Sequence, residues 1–176
     1  TISAIYVEVI RSTPVIVQIM LIYHGVFRLI DLPNFTIFGF IRFQRFIPGV
    51  VALGLNSAAY LCEIIRSGID AVDKGQTEAA RALGLTARTT MVKVVMPQAI
   101  KNILPALGNE FITIIKETSL ASNFFVGELM TTYAVIKGVT FNPIPTLMDI
   151  GIIYFVMTFT LSKLMGIAER RMKASA

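Results

Sequence analysis

The sequence predicts an all-α fold, a polytopic membrane helical bundle interrupted once by a short polar helix pair. Three observations point there. Hydrophobic residues make up 55% of the 176 and charged ones 15%, with a mean hydropathy of +0.71, whereas a soluble domain is about one quarter charged. The apolar residues fall in blocks of roughly 20, the length that crosses a hydrocarbon core about 30 Å thick. Between those blocks lies one long polar stretch, residues 74–97, KGQTEAARALGLTARTTMVKVVMP.

Residues 1–13 read as an amphipathic lead, with Glu8 and Arg11 set among Ile5, Val7, Val9 and Ile10, ending where Pro14 can open a helix. They are expected to enter a first span at 14–30, apolar apart from Gln18, His24 and Arg28, with Arg28 snorkelling at its far end. His24 is a candidate proton carrier or substrate contact, because ionisable groups within spans are functional by default. One turn from Arg28, it equally suits a plain interfacial position. Residues 31–46 combine Pro33, Asn34, Gly39, Arg42 and Arg45 with several Phe, a mix that cannot lie in lipid as irregular backbone. An exposed loop with a short interfacial helix is expected there. In the second span, 48–67, Gly54 and Ala58 form a small-xxx-small pair suited to close helix approach, and Glu63 stands three residues before Arg66, the spacing of a helical ion pair.

The polar stretch follows. Asp73 with Gln76 resembles a capping box, a helix runs through Leu83, Gly84 can take the left-handed conformation that ends it, and Thr86 can cap a second helix to about Val95. Pro97 is expected to open a third span at 98–116, which carries Lys101, Asn109 and Glu110 and a kink at Pro105. A bundle interior or a polar path must shelter those groups. Residues 117–146 read as a helical extension followed by an exposed loop ending in Asn-Pro-Ile-Pro. The last span, 147–168, has Asp149 at its start, Lys163 near its end and a basic tail of Arg170, Arg171 and Lys173.

Lys and Arg favour the cytoplasmic side, which places the polar pair and the C-terminus inside and leaves Arg28, Arg42, Arg45 and Lys137 outside. Lys116 has no side assigned. Four alternating spans then put Thr1 in the cytoplasm, and the absence of an initiator Met suggests a further span before it. The net charge of +5 is the topology signal of such a chain and comes without a nucleic-acid-binding motif. No nucleic-acid partner is expected. No phosphate-cradling G-x-x-x-x-G-K-[ST] loop is present, so the chain is not expected to hydrolyse ATP. The single His and single Cys, His24 and Cys62, are far apart and offer neither metal-ligand spacing nor a Cys-His nucleophile, and the carboxylates are dispersed. No metal, cofactor or enzymatic activity is expected on this chain.

Glu78-Ala79-Ala80, then Gly84, then Val94-Val95-Met96-Pro97 resembles the EAA motif of prokaryotic ABC importer permeases, written EAA, three residues, Gly, nine residues, I-x-L-P. The spacing agrees throughout; Val94 replaces Ile and Met96 replaces Leu. Residues 6–18 (YVEVIRSTPVIVQ), 57–84 and 97–119 are similar to segments of the polar amino-acid uptake subfamily. The resemblance implies a type I ABC importer permease fold of about five spans, the first of which this chain would lack. It implies a second permease subunit, identical or different, two cytoplasmic ATPase subunits that carry ATP and magnesium, and an extracytoplasmic solute-binding protein. In that family the EAA helices at 76–95 insert into a groove on the ATPase. Glu78, Ala79, Ala80, Arg81 and Gly84 carry over to that contact, with a solvated helix face and a simple helix stop as the alternatives.

An amino-acid cargo presents an ammonium and a carboxylate, so its path needs a sheltered acceptor and a donor. Glu117, in Lys116-Glu117-Thr118-Ser119, is the first choice of acceptor; a salt bridge to Lys116 or Lys101 is its rival role. Thr118 and Ser119 could add hydroxyl contacts, and Asn56, Asn109 and Glu110 either line the path or join helices. A permease for methionine or an osmolyte is the second reading, and an ATP-independent channel or secondary carrier the third.

Overall fold

A computed structural model describes the chain except for Thr1, Phe40, Phe125, Ser175 and Ala176, with side chains described as far as Arg170. Arg171 and Lys173 of the basic tail therefore lie outside the described side chains. Helices α1 (Ile2–Arg11) and α2 (Val15–Leu21) come first, α2 passing into a π-helical turn, Ile22–Val26, and a 3-10 turn, Phe27–Leu29. A two-stranded antiparallel hairpin, β1 (Thr36–Ile37) and β2 (Ile41–Arg42), leads into the long helix α3 (Phe43–Asp70). Two short helices follow, α4 (Lys74–Ala82) and α5 (Ala87–Thr90), then a π-helical turn, Met91–Val95, and α6 (Met96–Glu117). A 3-10 segment, Thr118–Phe124, joins α6 to α7 (Leu129–Thr140), and α8 (Pro143–Ala174) closes the chain. The all-α class holds, the hairpin being the one departure among the described residues.

Helix α6 packs along both α3 and α8, while α1 lies on α3 and α7 on α8. Small residues set the closest approach. A Cβ on Gly68 of α3 would stand 2.3 Å from Cγ1 of Ile103 in α6, so only glycine admits that crossing. The packed face of α3 is Pro48, Gly49, Ala52, Asn56, Ser57, Ala59 and Gly68. Gly54 and Ala58 are exposed instead, and a Cβ on Gly54 would meet nothing within 4 Å; their small-xxx-small pair packs no helix of this chain.

Two single helices, α3 and Pro143–Arg170 of α8, are long and apolar enough to cross a membrane among the described residues. The N-terminal region meets that test only as a pair, Ile2–Arg11 with Val15–Leu29, bent by 112°. The amphipathic lead ends at Pro14 as expected, and the chain enters α2 through a sharp break. Its cause is Pro14, which has no N–H to offer the carbonyl of Ile10. The Thr13 N–H and hydroxyl reach the Ile10 carbonyl at 3.4 and 3.3 Å, and the Gln18 side chain supplies the shortest bond: its Nε2 lies 2.7 Å from the Ile10 carbonyl and 3.0 Å from that of Thr13, and Asn56 Nδ2 donates to Gln18 Oε1 at 2.9 Å. Both amides are buried, where unmade hydrogen bonds would cost most.

Two further expectations change. Within 31–46 the hairpin β1–β2 leads directly into α3 at Phe43 in place of a separate short interfacial helix, with Phe35 stacked on Phe43 at 4.5 Å and the Phe43 N–H donating to the Phe35 carbonyl. Residues 117–146, expected to be a helical extension followed by an exposed loop, contain a separate helix at 129–140, which the Glu128 carboxylate caps by accepting from the N–H groups of Met130 (2.7 Å) and Thr131 (2.6 Å). Pro97 stands in the first turn of α6, as expected. The helix that begins at Ala87 continues through it by widening to π-helical bonding, the Met96 N–H reaching the Met91 carbonyl, which moves the Lys93 carbonyl away from the proline ring that would clash with it.

Candidate functional site

The polar pair is a closed turn with an exposed tip. Asp73 caps α4 by accepting from the Gly75 N–H at 2.7 Å. Its reciprocal partner is absent: the Gln76 side chain instead accepts from Gln98 Nε2 at 3.4 Å, so the cap is single and the expected capping box does not form. At the other end Gly84 has φ +85°. The Leu85 N–H donates to the Ala80 carbonyl at 3.2 Å and the Gly84 N–H to that of Arg81 at 3.0 Å. These two bonds make a complete Schellman motif, which a residue with a Cβ closes only at a conformational cost. Arg81 Nη1 adds a third bond, to the Leu85 carbonyl at 2.9 Å. Thr86 then caps α5 through the Thr89 N–H, at 3.2 Å.

This wiring sorts the motif by role. Ala80 is buried, as the third residue from the end of α4 must be when Leu85 folds back over it. Glu78, Ala79 and Arg81 are exposed along α4. Leu83, passed over in the sequence reading, is 84% exposed at the tip of the turn. Among the described residues it is the one large apolar side chain fully turned out on this otherwise polar tip. The signal in the sequence was the leucine itself, lodged between Ala82 and Gly84 in a run with no other reason to be apolar.

The five residues proposed for cargo do not converge. Asn56 is 2% exposed and bonded to Gln18, so within this chain it joins α3 to the break at Pro14. Asn109 is exposed and lines a cavity of about 530 Å³ between α6 and α8 with Gly108, Ser162 and Glu169. Ser119 lines a different one, about 310 Å³, with Lys116, Met130 and Tyr154. Thr118 is half-buried and donates to the Ile115 carbonyl at 2.6 Å. Glu117 is half-buried at the last position of α6, within electrostatic range of Lys116 and Glu110. Among the described residues no ion pair within 4 Å holds it, and the two ion pairs found both belong to Glu63, with Arg66 at 2.8 Å and Arg11 at 3.5 Å. Lys101 and Asn109 are exposed on α6, so the shelter expected for them is not supplied within this chain. His24 is exposed, 5.6 Å from the Phe124 ring.

The same arrangement of helices occurs in known transporters. The chain is similar, at 47% identity and a TM-score of 0.85 over 96% of its length and 74% of the other, to a crystal structure of an amino acid ABC transporter with histidines. Inward-facing structures of the methionine ABC transporter MetNI share the fold at 17% identity and a TM-score of 0.73. In sequence, it is 40% identical over 99% of its length, and 75% of the relative's, to the arginine transport system permease protein ArtQ of Bacillus subtilis. It is 43% identical over 93% of its length, and 68% of the relative's, to the nopaline transport system permease protein NocM of Agrobacterium fabrum. The family model described as "binding-protein-dependent transport system inner membrane component" matches residues 1–174, and the chain belongs to that family of ABC transport permeases.

Proposed function

We propose that this chain pairs with a second permease subunit to enclose a path for a polar or charged amino acid, drawn into the cell by two ATPase subunits that dock on residues 74–97. A solute-binding protein delivers the cargo on the opposite side. The observation that carries the docking half is the Schellman-closed turn, which holds Glu78, Arg81 and Leu83 in one rigid exposed unit. Rigidity matters because closure of the ATPases on ATP can move the turn as a lever only if the turn does not yield. Through α5 and the π-helical turn that lever is continuous with α6, at whose far end Glu117 stands. The energy source is therefore on another chain, and the force enters this one at Gly84.

Amino acids as cargo follow from what the relatives are named for: arginine, nopaline and, at 36% identity over 97% of the chain, glutamine in Rickettsia bellii. The likeness to the methionine transporter is one of fold and carries no cargo. Glu117 is the acceptor we assign to the ammonium or side chain of the cargo, since it is half-buried and no ion pair holds it among the described residues. The test is uptake into proteoliposomes containing the whole transporter, screened across amino acids with the binding protein present. Glu117→Gln keeps shape and removes charge, so it should lower uptake of the preferred cargo at least tenfold, the loss of one hydrogen bond to a charged group, while the complex still assembles. Unchanged uptake removes Glu117 from the path.

A further inference from the structure

The hairpin β1–β2 carries a strained aromatic residue at its tip. Phe38 has φ +52°, a left-handed conformation that crowds the Cβ against the following carbonyl oxygen. Asn or Asp eases such crowding by bonding locally, and Phe has no group that can. Burial does not explain the choice either, because Phe38 is 84% exposed.

The base of the loop is fixed. Gln44 Nε2 donates to the Leu32 carbonyl at 2.8 Å, the Phe43 N–H donates to the Phe35 carbonyl at 3.0 Å, and the Phe35 ring stacks on Phe43. Both anchors lie in the first turn of α3, so the tip is held against the bundle rather than trailing from it. Backbone strain persists only where the surroundings over-determine it, and it clusters at sites that grip or switch.

Position and charge narrow the partner. Helix α3 has 28 residues and is therefore about 42 Å long, with the hairpin at its start and the polar turn 74–97 just past its end. The tip thus stands a membrane's thickness from the proposed ATPase contact. Gln18 meets Asn56 and Tyr23 meets the Arg45 carbonyl, so the chain from α2 onward runs toward the hairpin end, where it reaches Arg28. Arg28 and Arg42 are both exposed, Arg42 in β2 opposite Thr36. Residues 28–45 hold three arginines against the single acid Asp31, so a fitting partner is acidic. A lipid headgroup layer also takes up aromatic side chains, but it is fluid and a loose loop would serve it equally well. Only a fixed pocket on a folded partner makes use of a ring held in one strained position.

We propose that the hairpin tip is a docking point for the solute-binding protein: Phe38 enters an apolar pocket on that protein, and Arg28 and Arg42 face acidic side chains at the pocket's rim. This rests on the proposed function, which supplies the binding protein as a partner but no surface for it. Aromatic and arginine anchors carry most of the energy of such contacts, while rim charges govern encounter rate and salt dependence.

The test uses the complete transporter in nanodiscs and measures the concentration of loaded binding protein that gives half-maximal stimulation of ATPase turnover. Phe38→Gly removes the ring and relieves the backbone together, so a loss cannot come from added strain. It should raise that concentration about tenfold, the effect of losing one interface anchor, while turnover at saturating binding protein is kept. Arg42→Glu should raise it roughly fivefold in low salt and flatten its salt dependence. Should Phe38→Gly not assemble, Phe38→Asn, which tolerates the left-handed backbone, takes its place. An unchanged half-maximal concentration for the Phe38 variant overturns the proposal, whatever Arg42→Glu does. So does a shift seen in discs of phosphatidylcholine with phosphatidylglycerol but lost in phosphatidylcholine alone, which would assign the tip to anionic headgroups. If loaded binding protein fails to stimulate even the unaltered transporter, the proposed function itself falls, a result distinct from normal stimulation that ignores the tip.

Discussion

The role proposed for Gly84 in coupling would rest on backbone geometry alone. Its φ of +85° is left-handed, and a Cβ added there would meet nothing within 4 Å. Gly84→Ala therefore costs only the backbone preference, about 1 kcal/mol, with no steric penalty to confuse the reading. The expected outcome is a transporter that assembles normally but whose ATPase responds less to loaded binding protein, measured as the ratio of stimulated to basal turnover. An unchanged ratio would mean that the turn need not be rigid. This glycine was legible in the sequence because a Gly after a helix-forming run has few other uses. Gln18 was not. Pro14 announces that the Ile10 carbonyl loses its donor, but which side chain replaces it depends on the 112° bend that brings Gln18 back over it.

At the scale of elements, the two predictions concern α6. The π-helical turn Met91–Val95 inserts one extra residue before Pro97, which rotates α6 by about 100° relative to α5 compared with a regular helix. Pro97→Ala restores an N–H, lets the helix regularise and should uncouple the transporter, lowering stimulated ATPase activity without loss of thermal stability; a coupled variant would show that the rotation is incidental. Gly68→Ala should do the reverse. It forces a methyl 2.3 Å from Ile103 Cγ1, overpacking the α3–α6 crossing by about 1–3 kcal/mol, and should lower the melting temperature of the purified complex. Long helices such as α3 and α8 were readable from apolar length. The hairpin was not, because strands of two residues are too short to show a period of two, and α7 was not, because Glu128 is an uncommon N-cap and the segment after it resembles a loop in composition. The continuity of α5 with α6 escaped for a similar reason, since a proline usually marks a helix start and here marks a widened turn.

For the whole molecule, the distribution of polarity argues that this chain is one half of a path. Lys101 and Asn109 are exposed on the helix that packs between α3 and α8, although charged and amide groups within a membrane need a protein or water-filled surround. On the proposed function, a second permease subunit facing them would supply it. The candidate cargo residues scatter in the isolated chain for the same reason: spacing along α6 could place Glu117 and Asn109 on one helix, but not decide which face looks inward until a partner closes the path. The central claim is that residues 74–97 transmit ATPase motion, and it is tested most directly by crosslinking. With the exposed Cys62 replaced by Ser, single cysteines at Glu78 and at Leu83 should each crosslink to an ATPase subunit in the assembled transporter, with a yield that changes when ATP is bound. Crosslinks that form at neither position, or that ignore nucleotide, would contradict it.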